Sequence, residues 1–288
     1  MHYLSSLWLI LPFLLTTYPL SQLMAKQTSS TTYSLPTCEQ ANALYDTFIA
    51  MYEEYGHEEY MIDEEITQAN HVLQAAYFAQ IVGAPEELVI GLLLHDIGQI
   101  AREEWVGQAE FLHGNHDDFG AEWLRERAFP PTLCDWVAGH AIAKLLLCEE
   151  EPSYYEDLSR ASKASYWIQR EKYSHPPHDV KMEWLSHHPL RELFKSCRRC
   201  DDLAKIGSWS AKAPREGYLE LPSFESYRAM WVRVLRGEGA PASSAGWEKN
   251  LLQLQAAVRR DRPAGEELIC TLPGNELLRR VQPAASGG

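Results

Sequence analysis

Residues Ile62 to Ala101 read IDEEITQANHVLQAAYFAQIVGAPEELVIGLLLHDIGQIA, and this stretch decides the fold. From Ile66 to Val82 the pattern predicts a helix, and Gly83-Ala84-Pro85 supplies the C-cap glycine and the proline that stop it. Glu86 and Glu87 then fall in the first turn of a second helix, where carboxylates favour the positive end of the dipole. That helix is apolar through Leu94 and ends on His95-Asp96. An imidazole and a carboxylate side by side where a helix leaves the core suit metal ligation.

Outward from this stretch the chain keeps helical periodicity. On the N-terminal side, Ala41, Leu44, Phe48, Met51 and Tyr52 predict a helix over Thr37 to Glu54. On the C-terminal side, Gly98 to Gly114 lacks periodicity and reads as a surface excursion. Helices follow at His116–Phe129, Leu133–Cys148 (opened by Pro130-Pro131), Leu158–Gln169, Trp184–Lys205, Phe224–Leu235 and Trp247–Arg259, with Glu171–Asp179 as loop. Gly237 to Ser244 is linker-like. Nothing alternates long enough to argue a sheet, so the expected architecture is all-α. The expected division is a targeting-like or non-native segment over residues 1–35, one domain over 36–235 and a partly helical extension over 236–288.

Leu4 to Leu15 (LSSLWLILPFLL) is apolar enough for a signal-peptide core and too short to span a bilayer, but no Lys or Arg precedes it. Met24 is a plausible alternative start. A cytoplasmic location is expected, with secretory or organellar targeting left open; homodimerisation is compatible with the sequence. With 26 Lys+Arg against 40 Asp+Glu the net charge is −14, which argues against a non-specific grip on nucleic acid or anionic lipid and leaves room for a small anionic substrate in a local basic pocket. Six scattered cysteines read as reduced thiols, and the Cys197–Cys200 pair lacks two partners for a structural zinc.

Four histidines, His71, His95, His116 and His140, fall within or at the edge of predicted helices, and Asp96 and Asp201 complete the set. Imidazoles with carboxylates suit iron, manganese or zinc better than calcium. Six such side chains can hold two metals if Asp96 bridges them, since its two oxygens point to different places. His57, His113, His175, His178, His187 and His188 read as ordinary structural residues.

The order H…HD…H…H…D resembles the HD-domain superfamily of all-α metal enzymes. The detail resembles its PhnZ-like and TmpB-like mixed-valent diiron oxygenases of organophosphonate breakdown. The residues that carry the likeness run from about Glu64 to Tyr227. They include E-x-x-x-Q-x-x-H (Glu64, Gln68, His71), LLHDIG, H-x-x-x-G-A-x-x-L from His116, G-H-x-x-A-K (Gly139 to Lys144), L-S-x-A-S (Leu158 to Ser162) and R-R-x-D-D-x-A-K (Arg198 to Lys205). The resemblance implies one iron held by His71, His95, Asp96 and Asp201 and a second by Asp96, His116 and His140, as an Fe(II)/Fe(III) pair using O2 as co-substrate. It implies substrate contacts from Gln68, Lys144, Ser162, Gln169 and Arg198, and catalytic roles for Asp96, Glu64 and the residue at Gln99. Arg198 offers a fork and Lys144 a point charge for an oxyanion; replacing either is expected to leave metal content intact.

Departures from the family concern the substrate. Gln99 stands where the family has a second histidine, Met61 stands at the tyrosine lid, and the Q-G-G-P-M stretch after the Ser162 helix is replaced by Gln169-Arg170-Glu171 and a longer loop. The expected activity is oxidative cleavage of a small hydroxylated substrate, a 1-hydroxyphosphonate that yields phosphate. The alternative is a metal-dependent phosphohydrolase, in which a metal-bound water attacks a phosphoester.

Overall fold

A computed structural model describes residues 35–61, 64–101, 115–176, 178–205, 221–243 and 246–260. They belong to the unit Ser34–Gly288, the larger of two into which the chain divides. The expectations for residues 1–34, for 102–114 within the surface excursion, for the polar stretch after Lys205 and for the last residues lie outside this description.

The elements in order are α1 (Cys38–Tyr55), a hairpin of β1 (Glu59–Met61) and β2 (Glu64–Thr67), α2 (Gln68–Val82), α3 (Glu86–Leu94), α4 (Ile97–Ile100), α5 (His116–Glu126), α6 (Pro131–Glu150), α7 (Pro152–Asp157), α8 (Arg160–Tyr173), α9 (Val180–Ser186), α10 (Arg191–Leu203), a 3-10 turn (Phe224–Tyr227), α11 (Arg228–Leu235) and α12 (Trp247–Arg260). The architecture is all-α apart from that hairpin, whose strands are too short to leave an alternating signature. Among the described residues no helix is long and apolar enough to cross a membrane.

α6 is the axis of the core. Its residues from Leu133 to Leu147 are buried almost without interruption, as a helix apolar on every side must be, and α3, α5 and α10 pack around it. α2 packs on α3 and α10. A second focus joins α1 to α11: Tyr45 and Phe48 of α1 meet Trp231 of α11 at ring separations of 4.9 and 5.1 Å, and Trp231 Nε1 donates to the Ala41 carbonyl. Trp247, Leu251 and Leu254 of α12 are buried in the same core.

Several boundaries differ from the sequence reading for identifiable reasons. α2 starts at Gln68, not Ile66, because Thr67 caps it, accepting from Asn70 N, and Ile66 lies in β2. Gly83 ends it at φ 84°, the left-handed conformation that favours glycine. The helix expected over Trp184–Lys205 is two, α9 and α10, because Pro189 lacks an N–H and pushes His188 out of helical conformation. α8 runs on to Tyr173, into the expected loop, because Tyr173 is buried. α5 ends at Glu126, three residues before Phe129, and α6 extends beyond both predicted ends. The short α4 and α7 carried no readable period.

Candidate metal centre

His95 and Asp96 do not mark an exit from the core. Both are buried, at 0% and 1% exposure, because α3 is apolar on every side and delivers its C-terminus into the interior. α2 brings His71, α5 begins with His116, α6 supplies His140 and the last turn of α10 supplies Asp201. All six sequence-predicted ligands converge. They form two groups of three, His71–His95–Asp201 and Asp96–His116–His140, each with ligand atoms within 4.8 Å of one another.

The hydrogen bonds of the imidazoles decide which atoms face inward. His71 Nδ1 lies 2.8 Å from the Ala204 carbonyl, His95 Nδ1 2.7 Å from Leu92 O and His140 Nδ1 2.6 Å from Val137 O. A carbonyl only accepts, so in each ring Nδ1 carries the proton and Nε2 turns its lone pair to the centre. His71 Nε2 and His95 Nε2 are 3.0 Å apart, as are His116 Nε2 and His140 Nε2. Lone pairs at that distance repel unless a cation lies between them.

Asp96 stands between the pairs. Its Oδ2 is 3.4 Å from His71 Nε2 and 3.3 Å from His95 Nε2, while Oδ1 is 3.3 Å from His116 Nε2 and 3.5 Å from His140 Nε2. Neither oxygen has a hydrogen-bond donor of its own. Asp201 Oδ1 is 3.4 Å from His71 Nε2. Burial works against charge on His71, yet the neighbouring Asp201 and Asp96 carboxylates raise its pKa to about 9, so a metal ion taken up on Nε2 displaces a proton. Burial likewise opposes charge on Asp96, but the neighbouring imidazoles hold its carboxyl well below the usual range. Buried imidazole lone pairs and carboxylate oxygens lacking donors fit divalent or trivalent metal ions.

Beside the ligands lies a basic cluster. Lys144, 2% exposed, donates to Ser165 Oγ at 2.6 Å, and Lys205 donates to Ser162 Oγ at 2.6 Å. Burial, then the charges of Arg198 and Lys205, holds the Lys144 ammonium well below the usual lysine range. Two cations thus stand on the Ser162 and Ser165 hydroxyls, a donor set whose chemistry suits an oxyanion. Arg198 is committed differently from the sequence expectation: Nη1 lies 2.6 Å from Asp201 Oδ2 and Nη2 2.5 Å from Asp202 Oδ1. Asp202 in turn accepts from the Tyr154 hydroxyl.

Gln169 Oε1 is buried without a hydrogen-bond partner. Gln68 Nε2 donates to Gln99 Oε1 at 3.3 Å, and Gln68 Oε1 is buried and without a partner. The side chains of Glu64 and Met61 lie outside the described residues. Of the remaining histidines, His57, His175, His178, His187 and His188 join neither metal group, and His113 lies outside the description. Cys197 and Cys200 are buried in the core, their thiols pushed up first by burial.

Sequence reasoning gave no role to Lys205, Ser165, Asp202, Tyr154 or Tyr60. Lys205 and Asp202 were visible in the R-R-x-D-D-x-A-K run, and Ser165 sits one helical turn beyond Ser162. Tyr60, stacked on His71 at 3.8 Å and 24°, is placed there by the hairpin, which had no signal.

Residues 69–167 match the model of the HD domain. Three curated relatives align further. A [1-hydroxy-2-(trimethylamino)ethyl]phosphonate dioxygenase (glycine-betaine-forming) of Leisingera caerulea is 39% identical over 120 residues, 41% of this chain and 60% of that protein. A hydroxymethylphosphonate dioxygenase of Gimesia maris is 31% identical over 169 residues, 58% of this chain and 82% of the relative. An uncharacterized protein of Acanthamoeba polyphaga mimivirus is 28% identical over 185 residues, 64% and 82% respectively. The chain belongs to the HD-domain family, in the branch that includes these phosphonate dioxygenases.

Proposed function

We propose that the protein is a diiron oxygenase that cleaves the carbon–phosphorus bond of a small 1-hydroxyphosphonate. The observation that carries this reading is Asp96, with one oxygen turned to each histidine pair. His71, His95 and Asp201 would hold one iron with Asp96 Oδ2, and His116 and His140 a second with Oδ1. When bound, the pair would supply a Lewis acid for the substrate hydroxyl and a ferrous ion at which dioxygen reacts, the four electrons that reduce dioxygen coming from the substrate. The overall change balances as hydroxyphosphonate plus O2 giving a carboxylic acid and phosphate.

The chain's own residues bind and orient. Lys144 and Lys205, supported by Ser165 and Ser162, hold the phosphonate oxygens, and the anion in turn relieves the repulsion between these cations. Gln169 Oε1 accepts from a substrate donor. Gln68 and Gln99 form an uncharged amide wall near Asp96. Tyr60 covers His71 and excludes water from that side. Arg198 holds Asp201 in place rather than offering its whole fork to substrate.

The experiment is phosphate release from hydroxymethylphosphonate and its larger 1-hydroxy homologues by iron-loaded protein, with and without oxygen. Oxygen-dependent release, together with an electron paramagnetic resonance signal of a coupled mixed-valent pair, is expected. Phosphate release from phosphoesters under nitrogen, with zinc or manganese as the metal, overturns the reading.

A further inference from the structure

We propose that Lys181 is a positioning residue for the Asp96–His116–His140 half of the centre. This inference rests on the two-metal reading above. Lys181, on α9, touches no predicted ligand, yet its ammonium joins the segments that carry both imidazoles. Nζ lies 2.9 Å from Asp117 Oδ2 and 2.6 Å from Asp118 Oδ1, in the first turn of α5 directly after His116. It also donates to the carbonyl of Ala138 at 3.1 Å, two residues before His140 on α6. An ammonium has three N–H donors, and all three are matched.

The need for such a clamp follows from where His116 sits. It is the first residue of α5, and Asn115 makes no side-chain cap bond to that helix. The opening turn of a helix has no internal partners for its first N–H groups and frays unless something else holds it. Here that hold is Asp117, fully buried, which accepts from the Tyr173 hydroxyl at 2.7 Å as well as from Lys181. A buried carboxylate must be paired, so it remains where its partners are. His140, by contrast, is mid-helix and fixed by its own backbone bond. The separation of the two rings therefore depends on how the α5 start sits on α6, and Lys181 reaches both, whereas Lys172, 3.9 Å from Asp117 Oδ1, adds to the α5 side.

Tyr173 and Lys181 come from the stretch where α8 outruns its predicted end and the chain turns into α9.

The test is titration of the metal-stripped full chain with Fe(II) under nitrogen, resolved into first and second equivalents by calorimetry. The variants are Lys181→Met and, as a milder change that keeps the ion pair, Tyr173→Phe. Lys195→Met is the control. Lys195 pairs with Glu150 between α6 and α10, and its side chain is 12% exposed against 13% for Lys181. Weakening of the second equivalent by about 10- to 100-fold in Lys181→Met, the range for loss of a group behind a ligand, with the first equivalent and the control unchanged, is the expected result. Tyr173→Phe should move the same equivalent by a smaller factor, and if Lys181→Met does not fold, Lys181→Gln, which keeps a donor but removes the charge, is titrated in its place with the same expectation and the same overturning outcomes. Equal weakening of both equivalents, or of neither, overturns the role of Lys181. A wild-type chain that takes up a single equivalent overturns the two-metal reading and this inference with it.

Discussion

Arg198 grips Asp201, its Nη1 2.6 Å from Oδ2, while its other terminal nitrogen holds Asp202. The guanidinium thereby orients a carboxylate that faces His71. Arg198→Ala should release Asp201 and weaken metal retention about 10- to 100-fold, contrary to the expectation from sequence that metal content is untouched. Metal analysis after dialysis decides it: full retention would mean that Asp201 keeps its place unaided.

Lys144 has no such tie to a ligand. Lys144→Met should therefore leave metal content alone and weaken binding of a phosphonate anion. Loss of one charged hydrogen bond is worth about 1.5–3 kcal/mol. The rise in KM at unchanged iron content measures it, and an unchanged KM would place the anion elsewhere.

Gly98 shows why the residue two after Asp96 is glycine. A Cβ there would stand 2.0 Å from the His116 carbonyl oxygen and 2.8 Å from Gly120 N. Gly98→Ala must push the start of α5 away, costing about 1–3 kcal/mol of stability as overpacking does. It should also impair binding of the metal assigned to His116. A lowered melting temperature with normal metal stoichiometry would show that α5 shifts without disturbing the imidazole.

His188 gives the fold a pH dependence. Its ring stacks on Phe194 at 4.8 Å, and its Nδ1 accepts from Leu190 N, a bond that needs an unprotonated nitrogen. Burial lowers its pKa below 6.5, against a smaller opposing effect of Asp135. Below pH 6.5 the unfolded chain thus binds more protons than the folded one, so the contribution is complete above that pH and is lost as pH falls. The melting temperature should drop less between pH 7 and pH 5.5 for His188→Gln than for the parent; parallel curves would remove His188 as the cause. His178, whose pKa burial also lowers, contributes equally to both proteins.

The ligands were legible because histidine and aspartate at the edges of apolar helices have few other reasons to be there. His95-Asp96 at the end of LVIGLLL needed only helical periodicity to be placed. Lys181 and Tyr173 were not legible, because they sit in a polar stretch without period and meet Asp117 more than fifty positions away in the chain. The break at Pro189 could have been read, since a proline inside a helical pattern is a local signal. Tyr60 could not, because three- and four-residue strands leave no pattern. Arg198 was found as a residue, but its ion pairs with Asp201 and Asp202 were not, since sequence cannot show that these two neighbouring aspartates take both terminal nitrogens of its fork.

The two 3.0 Å histidine contacts have a consequence beyond ligation. His71 and His95 are 24 residues apart, and so are His116 and His140. In each pair the second histidine anchors its Nδ1 on the carbonyl three residues before it. The centre is thus one helix-pair device used twice about Asp96, and a device used twice would treat its two ions alike. Asp201, arriving from α10 on one side only, breaks that equivalence. With two ions bound as proposed, the half with the second carboxylate would favour the ion of higher charge, and the other would be left with fewer protein ligands. The proposed division of labour between two otherwise matched halves would then come down to a single aspartate.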